Sequence, residues 1–313
     1  MRKATDSLNR YPDATCHLLK ARLAAHLGVA SNTLIVGNGS DELLVLALRA
    51  FVDPGDEVVV AEPTFLIYAL QANACGAKVT AVPLRHFRYD LPAMKAAITP
   101  KTKLVFIANP DNPTGTYVTA RELATFMQDL PRHVVVVVDE AYYEFVEARD
   151  YPHTVPQVAR YPMLVTRSFS KAYGLAGLRI GYGVAEPSLI RALDAVREPF
   201  NVNSLAQVAA TAALDDRAFL AKSRRMLREG RRYLTKELAK LHVRPVPSVA
   251  NFLLVELGSQ ASAVAEALLR RGVIVREMSA WKLSGFIRVT IGTMLENRRC
   301  IRALKECFAR ERV

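Results

Sequence analysis

Five consecutive valines, Val134–Val138, constrain the fold of this chain more than any other feature of its sequence. A β-strand with one face in water alternates apolar and polar residues, whereas a strand covered on both faces is apolar throughout. The run Leu104–Ala108 has the same apolar character. We therefore expect a mostly parallel sheet with helices on both faces, which places the chain in the α/β class.

Seven segments in the first two thirds of the chain are predicted to be strands, and amphipathic runs such as Glu42–Phe51 and Arg121–Leu130 separate most of them. The predicted strands are Leu34–Val36, Glu57–Ala61, Lys78–Val82, Leu104–Ala108, Val134–Val138, Leu164–Thr166 and Ile180–Val184. Thr119 and Glu122 have the spacing of a capping box, which predicts a helix start there.

The pattern changes after about Pro199. A long helical stretch over Ser204–Leu241 is predicted to break near Asp215-Asp216, and short strands and two further helices follow it. The predicted strands here are Asn251–Leu257, Val273–Arg276 and Ile287–Ile291. We expect a large domain over residues 12–215 and a small α+β domain over residues 216–313, to which residues 1–11 also belong.

The composition of the 313-residue chain argues against several classes of protein. With 51% hydrophobic and 23% charged residues, the chain can bury a large core and is not of the disordered class. Its longest apolar runs are too short to span a bilayer, and no signal peptide opens it, so no membrane partner is expected. The four cysteines, Cys16, Cys75, Cys300 and Cys307, show no metal-binding or disulfide spacing and predict free thiols in a reducing cytoplasm.

The net charge of +12 raises the question of nucleic-acid binding. The basic cluster falls on the polar face of a predicted long helix, which is typical of a solvated face, and it comprises Lys222, Arg224, Arg225, Arg228, Arg231 and Arg232. No nucleic-acid-binding motif accompanies it. An excess of basic residues also suits the binding of an anionic cofactor and substrate, so no nucleic-acid partner is predicted.

Reactive and polar side chains follow four of the predicted strands, at the edge of a parallel sheet where ligands bind. The segments are Gly37–Asp41, Asn109–Gly115, Asp139–Tyr142 and Ser168–Lys171. A single lysine or carboxylate after a strand is usually a surface residue or a helix cap. The chain carries an amide, a carboxylate, a phenol and an amine, in this order, at successive strand ends. Their joint occurrence predicts a catalytic site.

Nearly the whole chain resembles the fold-type I, pyridoxal-phosphate-dependent aminotransferases of class I/II, and within them the histidinol-phosphate aminotransferases. The resemblance rests on six motifs: Leu8–Pro12, Gly37–Glu42, Asn112–Gly115, Asp139–Tyr142, Ser168–Arg179 and Gly285–Thr293. It implies a seven-stranded, mostly parallel sheet in a large domain, a small α+β domain, and pyridoxal 5′-phosphate as cofactor.

The resemblance also implies roles for individual residues. Lys171 would attach the cofactor through its amine and then move the substrate proton as a general base. Asp139 would hold the protonated ring nitrogen, while Asn112 and Tyr142 would bind the ring oxygen. Phe65 would stack on the ring. The cofactor phosphate would be bound by the start of a helix at Ser40 and Asp41, by the hydroxyls of Ser168 and Ser170, and by Arg179.

Tyr11 matches a tyrosine that reaches the phosphate of the neighbouring subunit, so a homodimer with shared active sites is expected. Members of the family carry an N-terminal arm before the segment that matches Leu8–Pro12, and this chain begins at Met1 just before that segment. The expectation is that cofactor binding survives the loss of the arm, whereas substrate affinity and turnover fall.

Two arginines match substrate-binding positions of the family. Arg288 would bind the substrate carboxylate, and Arg276 would lie near a distal phosphate. The function implied is transamination of L-histidinol phosphate with 2-oxoglutarate in histidine synthesis, with a small-molecule amino donor and a 2-oxo acid as partners. Two alternatives stay open: another reaction on the same cofactor, such as threonine-phosphate decarboxylation or aromatic amino acid transamination, and a non-catalytic effector module. The module is disfavoured because every catalytic residue type is present and no DNA-binding domain is appended.

Overall fold

A seven-stranded sheet forms the centre of the computed structural model, which describes residues 2–310. Its strands are β1 (Leu34–Gly37), β2 (Glu57–Glu62), β3 (Lys78–Pro83), β4 (Thr102–Ala108), β5 (Val135–Asp139), β6 (Met163–Ser168) and β7 (Gly181–Val184), and they lie in the order β1-β7-β6-β5-β4-β2-β3. Strand β7 runs antiparallel to both neighbours, and the other pairings are parallel. The predicted seven-stranded, mostly parallel sheet of an α/β protein is confirmed.

Both faces of this sheet are covered, which explains the run of valines. Val136 and Val138 belong to the core on one face, and Val135 and Val137 belong to the core on the other. The covering helices and the short N-terminal helix are α1 (Arg2–Thr5), α2 (His17–Leu27), α3 (Ser40–Phe51), α4 (Ile67–Ala74), α5 (Leu91–Ala96), α6 (Ala120–Met127), α7 (Pro187–Ala195) and α8 (Ser204–Ala213). The polar ends of the strands are therefore held by two hydrophobic layers.

A three-stranded antiparallel sheet lies in the last third of the chain, in the order β8 (Phe252–Glu256), β10 (Phe286–Thr290), β9 (Arg276–Glu277). It shares a core with helices α9 (Arg217–Lys240), α10 (Ala261–Arg270) and α11 (Met294–Arg310). The core includes Tyr142 and Ala172 from the loops at the edge of the large sheet. The smaller unit therefore packs directly against the strand ends that carry the polar residues.

Most predicted helix boundaries are confirmed. Thr119 and Glu122 form the predicted capping box, and Asp216 caps the second of the two helices into which the stretch Ser204–Leu241 divides. The predicted strand Val273–Arg276 is wrong in extent, because only Arg276 and Glu277 pair with β10. Val273 and Val275 instead pack against the core of the smaller unit.

The basic cluster on α9 is mainly exposed, as predicted, but three of its arginines also bond to other parts of the fold. Arg224 and Arg231 donate to the backbone carbonyls of Glu144 and Ala250, and Arg228 pairs with Glu147. No helix among residues 2–310 has the length and apolarity needed to cross a membrane. The domain ranges 12–215 and 216–313 stay predictions, and Met1 and residues 311–313 within them lie outside the described part of the chain.

Candidate active site

A cavity of about 160 Å³ opens at the edge of the large sheet where β2, β4, β5 and β6 end. Its lining includes every cofactor residue predicted from the sequence except Tyr11: Ser40, Asp41, Phe65, Asn112, Asp139, Tyr142, Ser168, Ser170, Lys171 and Arg179. Tyr68, Ala108, Pro110, Ala141 and Ala176 complete the wall. Segments far apart in the sequence thus meet around one small volume.

Asp139 ends β5 and lies deep in the cavity wall. One carboxylate oxygen accepts a hydrogen bond from the Tyr68 hydroxyl at 2.9 Å, and the other accepts from the Thr166 hydroxyl at 3.1 Å and from the backbone N–H of Ala141 at 3.2 Å. Burial raises the pKa of Asp139 to about 6, against these hydrogen bonds. No basic side chain of the described residues forms an ion pair with it, so its charge is available to a cationic ligand atom.

Lys171 follows β6 and lines the same cavity. Its Nζ lies 5.4 Å from the centre of the Tyr142 ring. Burial lowers the pKa of the Lys171 amine, and the positive charge of Arg288 lowers it further. A lysine with a lowered pKa has more of the neutral amine that a nucleophile or general base requires.

The start of helix α3 forms an anion-binding end of the cavity. Ser40 is the first helical residue. The N-cap residue before it is Gly39, which has no side chain to bond the N–H groups of the first turn. The φ of Gly39 is +83°, a conformation that favours glycine, and a Cβ there would stand 2.7 Å from the Arg179 guanidinium and displace it. Free backbone N–H groups at a helix start, with an arginine over them, suit a phosphate.

Arg179 also contacts other side chains at the anion-binding end of the cavity. Its guanidinium lies 3.7 Å from the Asp41 carboxylate and donates to the Ser170 hydroxyl at 3.4 Å. The Ser168 hydroxyl accepts from the Ser170 backbone N–H at 3.0 Å, which holds the turn before Lys171. The Asp41 carboxylate offsets part of the positive charge, so the backbone of Asp41, and not its side chain, fits the predicted role.

Buried hydrogen bonds hold the loop that carries Asn112. Asp111 is fully buried, and its carboxylate accepts from the hydroxyls of Thr64 and Thr114 at 2.7 Å each and from the Thr114 backbone N–H at 3.1 Å. The Tyr89 hydroxyl bonds Thr64 at 2.6 Å. Since Thr64 precedes Phe65, this network fixes two walls of the cavity together.

Arg288 of the smaller sheet contacts Asn112 in the cavity wall, although it is not itself part of the lining. Arg288 lies on β10 and donates a hydrogen bond to Oδ1 of Asn112, across the junction of the two units. Arg276 on β9 is its direct cross-strand partner, but Arg276 is exposed and does not line the cavity. Neither arginine forms an ion pair with a carboxylate among residues 2–310. Directly opposed side chains share one face of a sheet, so two positive charges stand together there.

Tyr11 lies outside this cavity. It is 83% exposed, and its ring stacks on Phe200 with 4.7 Å between the ring centres. Tyr11 therefore does not line the cavity of its own chain, and its contact with the cofactor phosphate of a neighbouring subunit stays a prediction.

Sequence reasoning missed Tyr68 and Thr166, which bind the Asp139 carboxylate, and Asp111, which holds the Asn112 loop. One signal could have identified Tyr68: it follows Phe65 by three residues, so both fall on one side of the first turn after β2. Thr166 and Asp111 carry no such signal, because a threonine in a strand and an aspartate in a turn are ordinary by themselves.

A family model, "Aminotransferase class I and II", matches residues 1–304. The chain belongs to the class I and II aminotransferase family. Among curated relatives, it is 49% identical to the histidinol-phosphate aminotransferase of Moorella thermoacetica over 311 residues, which is 99% of this chain and 81% of the relative. It is also 49% identical to histidinol-phosphate aminotransferase 2 of Ralstonia nicotianae, covering 99% of this chain and 84% of that protein.

Among solved structures, this aminotransferase is similar to the histidinol-phosphate aminotransferase of Sinorhizobium meliloti in complex with pyridoxal 5′-phosphate. The TM-score is 0.92 and the identity 32%, over 97% of this chain and 84% of the other. The predictions of an enzyme, of its family and of its fold are confirmed.

Proposed function

We propose that this aminotransferase uses pyridoxal 5′-phosphate to transfer the amino group of L-histidinol phosphate to 2-oxoglutarate in histidine biosynthesis. The observation that carries the proposal is the meeting of Lys171, Asp139 and Asn112 with the uncapped start of α3 around one cavity. Identity of 49% to curated histidinol-phosphate aminotransferases supports the choice of substrate.

The cavity residues fit the cofactor at both of its charged ends. The backbone at Ser40 and Asp41, the hydroxyls of Ser168 and Ser170, and Arg179 would hold the phosphate. The Asp139 carboxylate, which lacks a basic partner in the described structure, would hold a protonated ring nitrogen. Asn112 and Tyr142 would bind the ring oxygen, and Phe65 would cover the ring.

Pyridoxal phosphate, when bound, supplies a ring that accepts electrons as a proton leaves the substrate α-carbon. Asp139 keeps a positive charge at the ring nitrogen, which favours that flow of electrons. The Nζ of Lys171 would take the proton from the substrate α-carbon and deliver it to carbon C4′ of the cofactor. Its lowered pKa, caused by burial and by Arg288, keeps more of the amine in the proton-accepting form.

Arg288 and Arg276 would bind the anionic part of each substrate. The amino donor carries a phosphate and 2-oxoglutarate carries two carboxylates, and the two substrates use the site in alternate half-reactions. Two adjacent arginines that have no carboxylate partner in the described part of the chain match this demand, because an anion relieves the repulsion between them.

The enzyme is further proposed to act as a cytoplasmic homodimer in which Tyr11 of one protomer contacts the cofactor phosphate of the other. The exposure of Tyr11 and its stacking on Phe200 support this arrangement. The four cysteines form no disulfide in the described structure, which supports a reducing compartment. Sedimentation of the cofactor-loaded protein tests the dimer, and a cofactor-saturated monomer would contradict it.

A panel of amino donors tests the substrate. Purified enzyme with cofactor and 2-oxoglutarate should form glutamate when histidinol phosphate is the donor, and much less when threonine phosphate or phenylalanine replaces it. Single-turnover absorbance of the cofactor, without 2-oxoglutarate, checks the first half-reaction separately. Faster turnover of another donor would reject this substrate while leaving the family unaffected, and no absorbance change with any donor would point to a binding module.

A further inference from the structure

Two aromatic rings lie near the guanidinium of Arg288. Its guanidinium carbon lies 4.9 Å from the centre of the Phe252 ring on β8 and 5.9 Å from the centre of the Trp281 ring, in the segment between β9 and β10. Both distances are within the reach of cation–π attraction. The Arg288 Nε is buried and has no hydrogen-bond acceptor in the described structure.

Another buried arginine of this chain is held in a different way. Arg167 lies 3.4 Å from the centre of the Tyr143 ring, but its guanidinium also binds the buried Glu140 carboxylate at 2.9 Å. That carboxylate neutralises the charge of Arg167. Aromatic rings attract a guanidinium without neutralising it and without occupying most of its N–H donors.

Trp281 belongs to a group of apolar side chains where the two units meet, which we call the cleft cluster: Phe87, Val246, Leu254, Met278, Trp281, Leu283 and Phe286. The Nε1–H of Trp281 is buried and finds no acceptor within residues 2–310. An unsatisfied donor is unfavourable, so packing alone would favour phenylalanine or leucine at this position. What the large indole ring adds is its face against Arg288.

We propose that Trp281, together with Phe252, is a positioning residue that orients Arg288 and keeps its positive charge available to the phosphate or carboxylate of the substrate. The inference rests on the proposed function only in taking Arg288 as the residue that binds the substrate anion. Trp281 acts through the guanidinium of Arg288, and the ligand class is an oxyanion.

Binding of inorganic phosphate to the cofactor-loaded full chain tests the inference, because this probe does not react. Replacement of the indole by a flexible alkyl chain in Trp281→Leu should weaken phosphate binding about 3- to 10-fold, the range expected for losing one cation–π contact. Trp281→Phe keeps an aromatic face and should restore most of the affinity. KM for histidinol phosphate should rise in Trp281→Leu while kcat changes less.

Two further variants separate the possible causes. Leu283→Ala disturbs the same cleft cluster but leaves both rings near Arg288 in place. It should leave phosphate binding unchanged even if it lowers Tm. Equal weakening in Leu283→Ala and Trp281→Leu, or normal binding in Trp281→Leu, would overturn the inference. Arg288→Gln should abolish phosphate binding; if it does not, the assigned anion site of the proposed function is wrong, which is a distinct failure.

Discussion

The hydroxyl of Tyr68 donates a hydrogen bond of 2.9 Å to the carboxylate of Asp139, and both side chains are buried. Tyr68 lies in α4, whereas Asp139 ends β5 in the middle of the sheet. The bond turns a carboxylate at the bottom of the cavity into a fixed negative centre. The cost of burying the carboxylate is visible in the pKa of Asp139, which burial raises to about 6 although the bond from Tyr68 lowers it.

Asp139→Asn should lower kcat by about 10²-fold or more, since it removes the charge that balances the ring nitrogen. In the cofactor-free protein, the variant should gain up to about 3 kcal/mol of unfolding free energy relative to the wild type between pH 4 and pH 8, because the Asp139 carboxyl, whose pKa is raised to about 6, becomes ionised over that range at a cost.

The difference in unfolding free energy between the variant and the wild type should depend on pH. Since the folded pKa of Asp139 is raised, the wild type loses stability relative to the variant as pH rises through about 6, and the difference between them should become constant below about pH 4. Urea unfolding of both cofactor-free proteins at pH 4, 6 and 8 measures it. A constant difference at all three pH values, or near-normal turnover in the variant, would refute the assignment.

Lys171→Ala should reduce transamination by at least about 10²–10⁴-fold, the usual contribution of one general acid–base group. Borohydride treatment of the wild-type enzyme with cofactor should attach the label to the peptide that contains Lys171. Lys78 and Lys103 make ion pairs outside the cavity and serve as internal controls in the peptide map. A label on either of them would remove Lys171 from its role.

The strands and the polar strand ends were predictable because their signals are local, whereas the roles of single cavity residues such as Phe65 and Arg179 came from the family resemblance. A run such as Val134–Val138 is apolar on both faces only where a sheet is covered twice, and polar groups at successive strand ends then share one edge. The partners of those groups were not predictable. The bond between Asn112 and Arg288 joins residues 176 positions apart, and it depends on how the smaller unit packs against the sheet. The short β9 was overestimated because Val273 and Val275 are as apolar as a strand requires, yet they pack into a core.

Asp111→Asn tests whether the buried network around Asp111 positions Asn112. The amide cannot accept all three of the hydrogen bonds that Thr64 and Thr114 now donate, so the loop should shift. We expect kcat/KM to fall about 10- to 100-fold, as small misplacements of positioning groups do, with a change in the visible spectrum of the bound cofactor. Thr116→Val is the comparison, since Thr116 bonds the Phe87 carbonyl at 2.7 Å and the Thr114 hydroxyl at 2.9 Å but makes no bond to the Asp111 carboxylate. Spectra altered equally in both variants would mean that Asp111 has only a structural role.

Glu140→Gln should be strongly destabilising although Glu140 is outside the cavity. Glu140 and Arg167 form a buried ion pair at 2.9 Å, and loss of the carboxylate leaves a buried positive charge. Breaking such a pair costs about 3–5 kcal/mol of unfolding free energy. Glu147→Gln, which breaks the half-exposed pair with Arg228, should cost no more than about 1 kcal/mol. Urea unfolding at one fixed protein concentration compares them, and similar losses in the two variants would contradict the expectation.

Arg288→Gln should raise the pKa of Lys171, in addition to weakening anion binding. Burial is the main cause of the lowered pKa of this amine, and the positive charge of Arg288 is the next. Removing that charge makes the protonated amine less unfavourable, so a higher pH is needed to reach the same neutral fraction. The rate at which an acylating reagent modifies Lys171 in the cofactor-free protein, followed by mass spectrometry across pH, reports this pKa directly. Arg276→Gln is the control, because it removes the neighbouring positive charge on the same sheet, but Arg276 is exposed and solvent screens its charge. An unchanged or lowered Lys171 pKa in Arg288→Gln, or an equal rise in both variants, would show that the arginine does not act on the amine through its charge.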